Sequence, residues 1–173
     1  MITKNLQVTH SKKDKFSLSS KDIETYIKFF KKKNLENYRF CCHKNINDKL
    51  HQMFIIHKKN YYIRPHKHLN KIETVFLIKG KIQFIRFTNK GNISEVINLS
   101  SNNSISTKFF VSVPKNSYHM MLIKSPIAVF LESTLGPFKK RDTFFPEWSP
   151  DRLEEEEIKK YIKKININLK KYE

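Results

Sequence analysis

The chain has 173 residues, a formal net charge of +18 and a sequence pI of about 9.9. Aromatic residues make up 13% of it and glycine occurs only 3 times, which excludes a disordered or collagen-like polypeptide and suits one domain with a real core. No apolar run approaches the length of a membrane span and the first ten residues lack the apolar segment of a secretory signal, so a soluble cytoplasmic protein is predicted.

The positive charge is scattered along the chain rather than concentrated in one segment. No helix-turn-helix, zinc-finger or RNA-binding signature accompanies it, so no nucleic-acid partner is expected. The charge would instead help to collect an anionic small molecule, such as a phosphorylated or nucleotide-linked sugar.

The N-terminal part predicts an arm followed by a helix. Residues 1–18 are polar and lysine-rich, and they are expected to form a loosely held arm or a short edge strand. Ser19 and Ser20 then precede KDIETYIKFFKKK, in which apolar side chains recur at helical spacing. A serine cap, early acids and late lysines favour an amphipathic helix that ends near Lys33.

A strand is predicted from Tyr38 to His43, where the chain reads YRFCCH. Cys41 and Cys42 are adjacent and cannot close a useful loop, so no disulfide framework is predicted. We interpret them as two half-buried thiols beside the strand.

A second short helix is predicted over about 47–58, where Asn47 or Asp48 could act as its cap. Leucine, methionine and phenylalanine side chains at 50, 53 and 54 would face inward. His51 and His57 would then lie on the flanks of the helix as exposed or hydrogen-bonded structural residues.

The segment RPHKHLNKIETVFLIKG is the most informative part of the chain. On a strand, His66 and His68 stand at positions i and i+2 and therefore share one face. Glu73 opens an alternating run after a short turn, and Gly80 lies between two strand-like runs, where a tight hairpin needs φ > 0. Two imidazoles and a carboxylate are thus predicted to enter one pocket from adjacent antiparallel strands. The alternative is a pair of exposed histidines.

A third histidine ends a later segment, PKNSYH. Regular short strands with turn signals between them favour a sandwich or barrel, and in a jelly roll this segment returns to the first one. Three imidazoles and one carboxylate form a ligand set typical of a divalent transition metal. The sequence therefore predicts one metal site, formed by His66, His68, Glu73 and His119.

Two further residues are candidates for chemistry. Glu132 has the parity of the inward side chains of AVFLEST, so it could act as a general base or hold a ligand imidazole; the alternative is a salt-bridged carboxylate at a strand end. Arg64 directly precedes the histidine pair and could bind a substrate carboxylate or phosphate in bidentate fashion; the alternative is a surface arginine. Tyr118 has the opposite parity to His119, which favours packing.

The last helix is predicted to begin at Ser149 and Pro150, as N-cap and first helical residue. Its apolar stripe would pack on the barrel or pair with a second subunit, so a homodimer is one expectation. These boundaries divide the chain into an N-terminal arm and helix (1–37), a barrel domain (38–148) and a C-terminal amphipathic helix (149–173).

Two spacings resemble the two conserved motifs of the cupin superfamily: His66-x-His68-x4-Glu73-x6-Gly80 and Pro114-x-Asn116-x2-His119. Asn116 replaces the usual glycine of the second motif, and Ile123 stands where an asparagine is often found. Further segments are similar to the WbuC family of cupin-fold metalloproteins: Arg39 with His43, LHQM at 50–53, YIRPHKHLNKIE at 62–73, FTNKG at 87–91, LESTLGPF at 131–138 and Trp148-Ser-Pro. The resemblance covers residues from about 38 to 150.

The resemblance implies a mainly β fold, the cupin double-stranded β-helix (a jelly-roll barrel), with N-terminal helices and a C-terminal helix. It also implies that His43 lines the pocket without binding the metal. The implied function is a metal-binding cupin in a sugar-related step of bacterial surface-polysaccharide biosynthesis. The resemblance supplies no reaction; we expect a metal-dependent enzyme of isomerase or oxygenase type that uses one Fe, Mn, Ni or Zn ion. Two alternatives stay open: a non-catalytic metallo-cupin that binds a sugar or other small ligand, and a metal-independent nucleotide-sugar isomerase or epimerase.

Overall fold

The structure is a computed structural model that describes residues 7–12, 16–102, 105 and 107–172. Within these ranges the strands are β1 (Val8–His10), β2 (Asn37–Cys41), β3 (Leu50–Lys58), β4 (Lys67–His68), β5 (Glu73–Lys79), β6 (Lys81–Phe87), β7 (Ile93–Ser100), β8 (Phe110–Val113), β9 (Tyr118–Ile123), β10 (Ile127–Leu135) and β11 (Thr143–Phe144). The helices are α1 (Ser20–Lys32) and α2 (Glu155–Leu169), with 3-10 turns at Lys140–Asp142 and Lys170–Tyr172.

Two β-sheets enclose the main core. The larger sheet has the strand order β1-β2-β3-β10-β5-β8, the smaller one β7-β6-β9, and β4 pairs separately with β11. The largest buried cluster joins both sheets, with Val75 and Phe130 from the larger one and Phe84 and Met121 from the smaller one. Alternation of inward and outward side chains along each strand places the core between the sheets. The predicted mainly β fold class is confirmed.

Each helix covers the outer face of one sheet. Ser19 caps α1, since its hydroxyl accepts a hydrogen bond from the Asp22 amide and the Asp22 carboxylate accepts one from the Ser19 amide. Three α1 side chains pack on the larger sheet: Ile23, Ile27 and Phe30. Ile165 and Leu169 of α2 pack on the smaller sheet. Among the described residues, α1 is the one N-terminal helix. The sequence-based prediction of more than one N-terminal helix is therefore wrong.

The helix predicted over 47–58 is strand β3 instead. β3 lies inside the larger sheet, between β2 and β10, and is covered on both faces. One face carries His51, Met53, Ile55 and His57, and the other lies under α1. A strand buried on both faces loses its alternation in sequence and is easily taken for a short helix. The polar residues before it form a turn, in which the Asp48 carboxylate accepts hydrogen bonds from two backbone amides.

Gly80 adopts the predicted positive φ, +98°, but not in a hairpin. β5 belongs to the larger sheet and β6 to the smaller one, so Gly80 is the corner at which the chain crosses between sheets. A Cβ atom there would lie 2.5 Å from the Ile127 carbonyl oxygen and from Ser125 Oγ. The position therefore requires glycine for both its backbone angle and its close packing.

The final helix begins later than predicted, at Glu155 rather than at Ser149. The Ser149 hydroxyl donates to the Pro146 carbonyl and accepts from Arg64 Nε, so it does not cap a helix. The predicted alternative of packing on the barrel is the one observed for α2.

Of the predicted N-terminal arm, Val8–His10 forms the expected edge strand, whereas residues 1–6 and 13–15 lie outside the described residues. The same holds for Asn103, Ser104 and Ser106 of the serine-rich segment after β7, and for the final Glu173. Within the described ranges, no helix is both long and apolar enough to span a bilayer.

Candidate metal centre

The two histidine-bearing segments are joined through their backbones. The His66 amide donates to the His119 carbonyl at 3.0 Å, and the His119 amide donates to the His66 carbonyl at 2.9 Å. The Asn116 amide donates to the His68 carbonyl at 2.6 Å, from a turn in which Asn116 has φ of +62°. An asparagine tolerates this left-handed conformation, so the turn forms without the glycine usual in the second cupin motif.

Glu73 reaches the same point from the larger sheet. It is the first residue of β5, where it shares the inward face with Val75 and Leu77, and it is only 4% exposed. The predicted entry from adjacent paired strands is wrong, because β4 pairs with β11 rather than with β5. Glu73 therefore faces the histidines from another sheet, and the four side chains converge across the interior.

His66, His68, Glu73 and His119 form one compact group. Each offers one ligand atom, and these atoms all lie within 4.8 Å of one another. The Nε2 atom of His68 lies 3.0 Å from Glu73 Oε2, and Nε2 of His119 lies 3.6 Å from Glu73 Oε1. Imidazole nitrogens and one carboxylate oxygen are ligands for a divalent transition metal.

Hydrogen bonds at the far side of each ring orient the imidazoles. Nδ1 of His66 donates to the Arg64 carbonyl and Nδ1 of His119 donates to the Ser117 carbonyl, both at 2.9 Å. A neutral imidazole with a proton on Nδ1 has a free lone pair on Nε2. The Thr143 hydroxyl lies 3.2 Å from Nδ1 of His68 and can donate or accept there. This arrangement of outer hydrogen bonds is the one that metal-binding histidines use.

The hydrogen bonding of one atom, Nε2 of His119, indicates whether a metal ion fits the group. Nε2 of His119 is buried, and no described residue gives it a hydrogen-bond partner. Glu73 Oε1, at 3.6 Å, is too distant for a hydrogen bond. A buried polar atom without a partner is costly unless a ligand binds it. A divalent ion at the centre of the group would bind this lone pair, so the residues fit such an ion.

The protonation states also suit metal binding. Burial, and to a lesser degree the neighbouring His119, lowers the pKa of His66 to about 3, so the ring is neutral. Burial acts to raise the pKa of Glu73, but the imidazoles of His119 and His68 outweigh it and hold the pKa below its ordinary value. Neutral imidazoles and an ionised carboxylate are the forms that bind metals.

The group opens into a cavity of about 440 Å³ between the sheets. Its wall combines apolar side chains such as Ile55 and Met121 with cationic ones, including Arg39, Lys140 and Arg152. Cavities of this size accommodate small molecules, and the cations favour an anionic one.

Glu132 lines this cavity, as its strand parity predicts. It retains some accessible surface towards the cavity but lies deep beneath the outer surface of the molecule. Its pairing partner on β5 is Val75, which is the next inward-facing residue after Glu73. Burial and the charge of Glu73 raise the pKa of Glu132 to about 7. No salt bridge to Glu132 is found among the described residues, which weakens the alternative of a salt-bridged strand end.

Arg64 does not line the cavity. Its Nε donates to Ser149 Oγ at 3.2 Å, its Nη2 donates to the Ser149 carbonyl at 3.1 Å, and its Nη1 pairs with Asp151. The guanidinium also lies over the Phe145 ring, 5.0 Å from its centre. The side chain therefore anchors the segment before α2, and its predicted substrate contact is not what the geometry favours.

His43 also lies away from the cavity lining. Its ring stacks on His51 with 3.9 Å between ring centres, and it is close to His10 and Cys41. His43 is not among the residues that line the cavity, so a role for it beside the substrate stays a prediction.

Sequence reasoning missed several cavity residues, among them Arg39, His51 and His57. His57 was assigned to a flank of a helix, whereas on β3 it faces the cavity. Arg39 was noted only as a matching residue in the family resemblance, although its parity with Cys41 on β2 places it on the cavity side of the strand, where its side chain stays exposed. Correct assignment of β3 as a strand would have identified His57.

Comparisons with known proteins address the fold more than the function. A family model described as a domain of unknown function, DUF6016, matches residues 31–99. No curated protein matches the chain in sequence. Among solved structures, the chain is similar to a protein from Shewanella oneidensis, with a TM-score of 0.54 and 11% identity over 68% of this chain and 82% of that one.

Two larger proteins are also similar in structure. Oxalate decarboxylase from Bacillus subtilis has a TM-score of 0.46 and 19% identity over 58% of this chain, which spans 24% of the enzyme. The capsular polysaccharide assembling protein CapF from Staphylococcus aureus has a TM-score of 0.49 and 21% identity over 64% of this chain, which spans 31% of CapF. At these levels of identity the likeness concerns the fold alone, and the WbuC-type assignment is not confirmed.

Proposed function

We propose that this chain is a metal-dependent cupin enzyme that binds a small anionic molecule between its sheets. The observation that carries the proposal is the convergence of three imidazoles and Glu73 on one buried point beside a cavity of about 440 Å³. The unpartnered Nε2 of His119 supports a bound cation, because a protein interior rarely leaves such an atom without a ligand.

His66, His68, Glu73 and His119 would hold one Fe, Mn, Ni or Zn ion. A divalent ion with four protein ligands and an open position supplies Lewis-acid polarisation of a coordinated substrate oxygen or lowers the pKa of a bound water. The hydrogen bonds from Nδ1 of His66 and His119 would keep both rings oriented while substrate enters and leaves.

The remaining cavity residues would bind the substrate and transfer a proton. Arg39, Lys140 and Arg152 provide the positive charge that would hold a phosphate or carboxylate group. Glu132 would act as the general acid or base, since its carboxyl lines the cavity that the four metal-binding residues open into, and burial raises its pKa above the ordinary value.

The substrate we propose is a sugar derivative, used in a step of bacterial surface-polysaccharide synthesis. This part depends on the motif resemblance to the WbuC family, and the cationic cavity wall is compatible with a phosphorylated or nucleotide-linked sugar. The cytoplasmic location and the homodimer expected from the sequence stay predictions.

A panel of sugar phosphates, nucleotide sugars and sugar acids, tested with metal-loaded and chelated protein, separates this proposal from its alternatives. Turnover that chelation abolishes and one metal restores would support the enzyme. Binding without turnover of any sugar class would favour a non-catalytic metallo-cupin, and turnover that survives complete chelation would favour a metal-independent isomerase.

Glu132→Gln provides the second part of the test. If Glu132 transfers the proton, the variant should retain its metal and lose about 10²–10⁴-fold in turnover. Unchanged turnover in a metal-loaded Glu132→Gln protein would remove Glu132 from the mechanism.

A further inference from the structure

A second group of metal-binding side chains lies at the edge of the larger sheet. His10, Cys41 and His43 each offer one ligand atom, and these atoms all lie within 4.8 Å of one another. None of the three belongs to the group around Glu73, and none lines the cavity.

The strand register brings these side chains together. β1 and β2 are parallel, and His10 stands directly opposite Cys41, so the two side chains share one face of the sheet. His43 follows two residues after Cys41, just beyond the end of β2, and its ring lies edge-on to that of His10, with 5.4 Å between ring centres. The Ser11 amide donates to the Cys41 carbonyl at 2.8 Å and fixes the register.

The donor atoms of this group are available to a metal ion. Cys41 is a free thiol and only 3% exposed. His43 is 8% exposed, and its Nδ1 is a buried atom with no hydrogen-bond partner among the described residues. Nδ1 of His10 lies 3.2 Å from the His43 carbonyl and must be the donor, which leaves the lone pair of Nε2 free. The His51 ring stacks on His43 and limits its rotation.

We infer that His10, Cys41 and His43 form a second metal site, which takes a zinc ion. A thiolate and two imidazoles are preferred zinc ligands, and the softness of the sulfur disfavours magnesium and calcium. Zinc bonds of about 2.0–2.3 Å place tetrahedral ligand atoms about 3.5 Å apart, so binding requires a modest contraction of the group. His10 is half-buried on an edge strand and has the most freedom to move inward.

Zinc at this position would displace the proton of the Cys41 thiol. The ion would connect β1 to β2, two strands that are otherwise joined through one short edge pairing. The site would therefore stabilise the N-terminal edge of the sheet.

Cobalt(II) titration of the full-length protein tests the inference. A thiolate bound to cobalt gives a sulfur-to-metal charge-transfer absorption in the near ultraviolet, which a site of histidines and glutamate cannot give. We expect this absorption in the wild-type protein and in Cys42→Ser, and its loss in Cys41→Ser and His10→Ala. Cys42→Ser is the matched control, because Cys42 is the neighbouring thiol on the opposite face.

Zinc analysis gives an independent measure of the same site. The wild-type protein should bind one more equivalent of zinc than Cys41→Ser or His10→Ala, and His66→Ala should retain the cobalt–sulfur absorption. If Cys41→Ser fails to fold, His10→Ala on its exposed edge strand decides the question. Absence of the absorption at excess cobalt, or an absorption that disappears in Cys42→Ser and persists in Cys41→Ser, would overturn the second site.

Discussion

His66 and His119 donate their backbone amides to each other's carbonyls, at 3.0 and 2.9 Å. Directly opposed residues of an antiparallel pair direct their side chains to the same face. The two rings consequently lie 4.4 Å apart between centres, although the residues come from distant parts of the sequence. This pairing holds two of the four proposed ligands together, and the ligand atoms of His68 and Glu73 lie within 4.8 Å of theirs.

The Thr143 hydroxyl is predicted to support metal binding through His68. Thr143→Val removes the partner of Nδ1 of His68 without changing the size of the side chain much. Metal affinity should fall about 10–100-fold, as it does when such outer partners are removed elsewhere. Competition with a fluorescent chelator measures the change. The matched control is Thr25→Val, which removes a hydroxyl from the exposed face of α1; equal affinities in both variants would contradict the prediction.

The buried His57 is predicted to make the protein sensitive to acid. Burial lowers the pKa of His57 to about 3, so the folded protein keeps the ring neutral where the unfolded chain, with a pKa near 6.5, takes up a proton. The contribution of the neutral ring to the free energy of unfolding is therefore complete above pH 6.5. As the pH falls below that value, this free energy decreases by about 1.4 kcal/mol per pH unit. His57→Gln cannot titrate and should show a smaller slope.

Urea unfolding of metal-free protein at several pH values measures both slopes. The difference between wild type and His57→Gln isolates this residue from the other histidines, which are common to both proteins. Parallel slopes would show that His57 titrates normally in the folded state.

Glu132→Gln is predicted to stabilise the metal-free protein at neutral and higher pH. Burial and the charge of Glu73 raise the pKa of Glu132 from 4.5 to about 7. Between these values the folded state holds a proton that the unfolded state has lost, so this carboxyl lowers stability as the pH rises through that range. The amide carries no charge, and the variant should gain on the order of 3 kcal/mol above pH 7 and little below pH 4.5. A gain that does not change with pH would contradict the raised pKa.

Arg64→Ala is predicted to loosen the segment that leads into α2. It removes the hydrogen bonds to Ser149 and the pair with Asp151, and the free energy of unfolding should fall by about 1–3 kcal/mol. Amide hydrogen exchange should increase in residues 146–151. Arg141→Ala, on the exposed turn before β11, is the control. A variant with unchanged stability but weaker substrate binding would favour the substrate contact predicted from the sequence.

The candidate metal centre could be predicted from the sequence because its signals are local. His66 and His68 lie two residues apart, which places them on one face of a strand, and Glu73 begins a run with clear alternation five residues later. Joining His119 to them required a fold, which the resemblance to cupins supplied. The pairing of β4 with β11 and the crossing at Gly80 depend on contacts distant in sequence, and no local pattern indicated them.

The error at β3 has one physical origin. Ile55 faces the core between the sheets, while Ile56 packs under α1, so consecutive residues are both buried. Burial on both faces removes the alternation that identifies a strand. The misassignment then placed His51 and His57 on a helix surface. It concealed that both line the cavity and that His51 also stacks on His43.

Metal content tests the central claim most directly. The protein should be purified without a metal-affinity tag and compared with His66→Ala, His119→Ala and the control His57→Gln, a cavity histidine outside the group. Analysis on a Cys41→Ser background removes any contribution from the second site. We predict near-stoichiometric Fe, Mn, Ni or Zn in the parent and in His57→Gln, and its loss in the other two. A folded parent that contains none of these metals and takes up none when they are added would contradict the account.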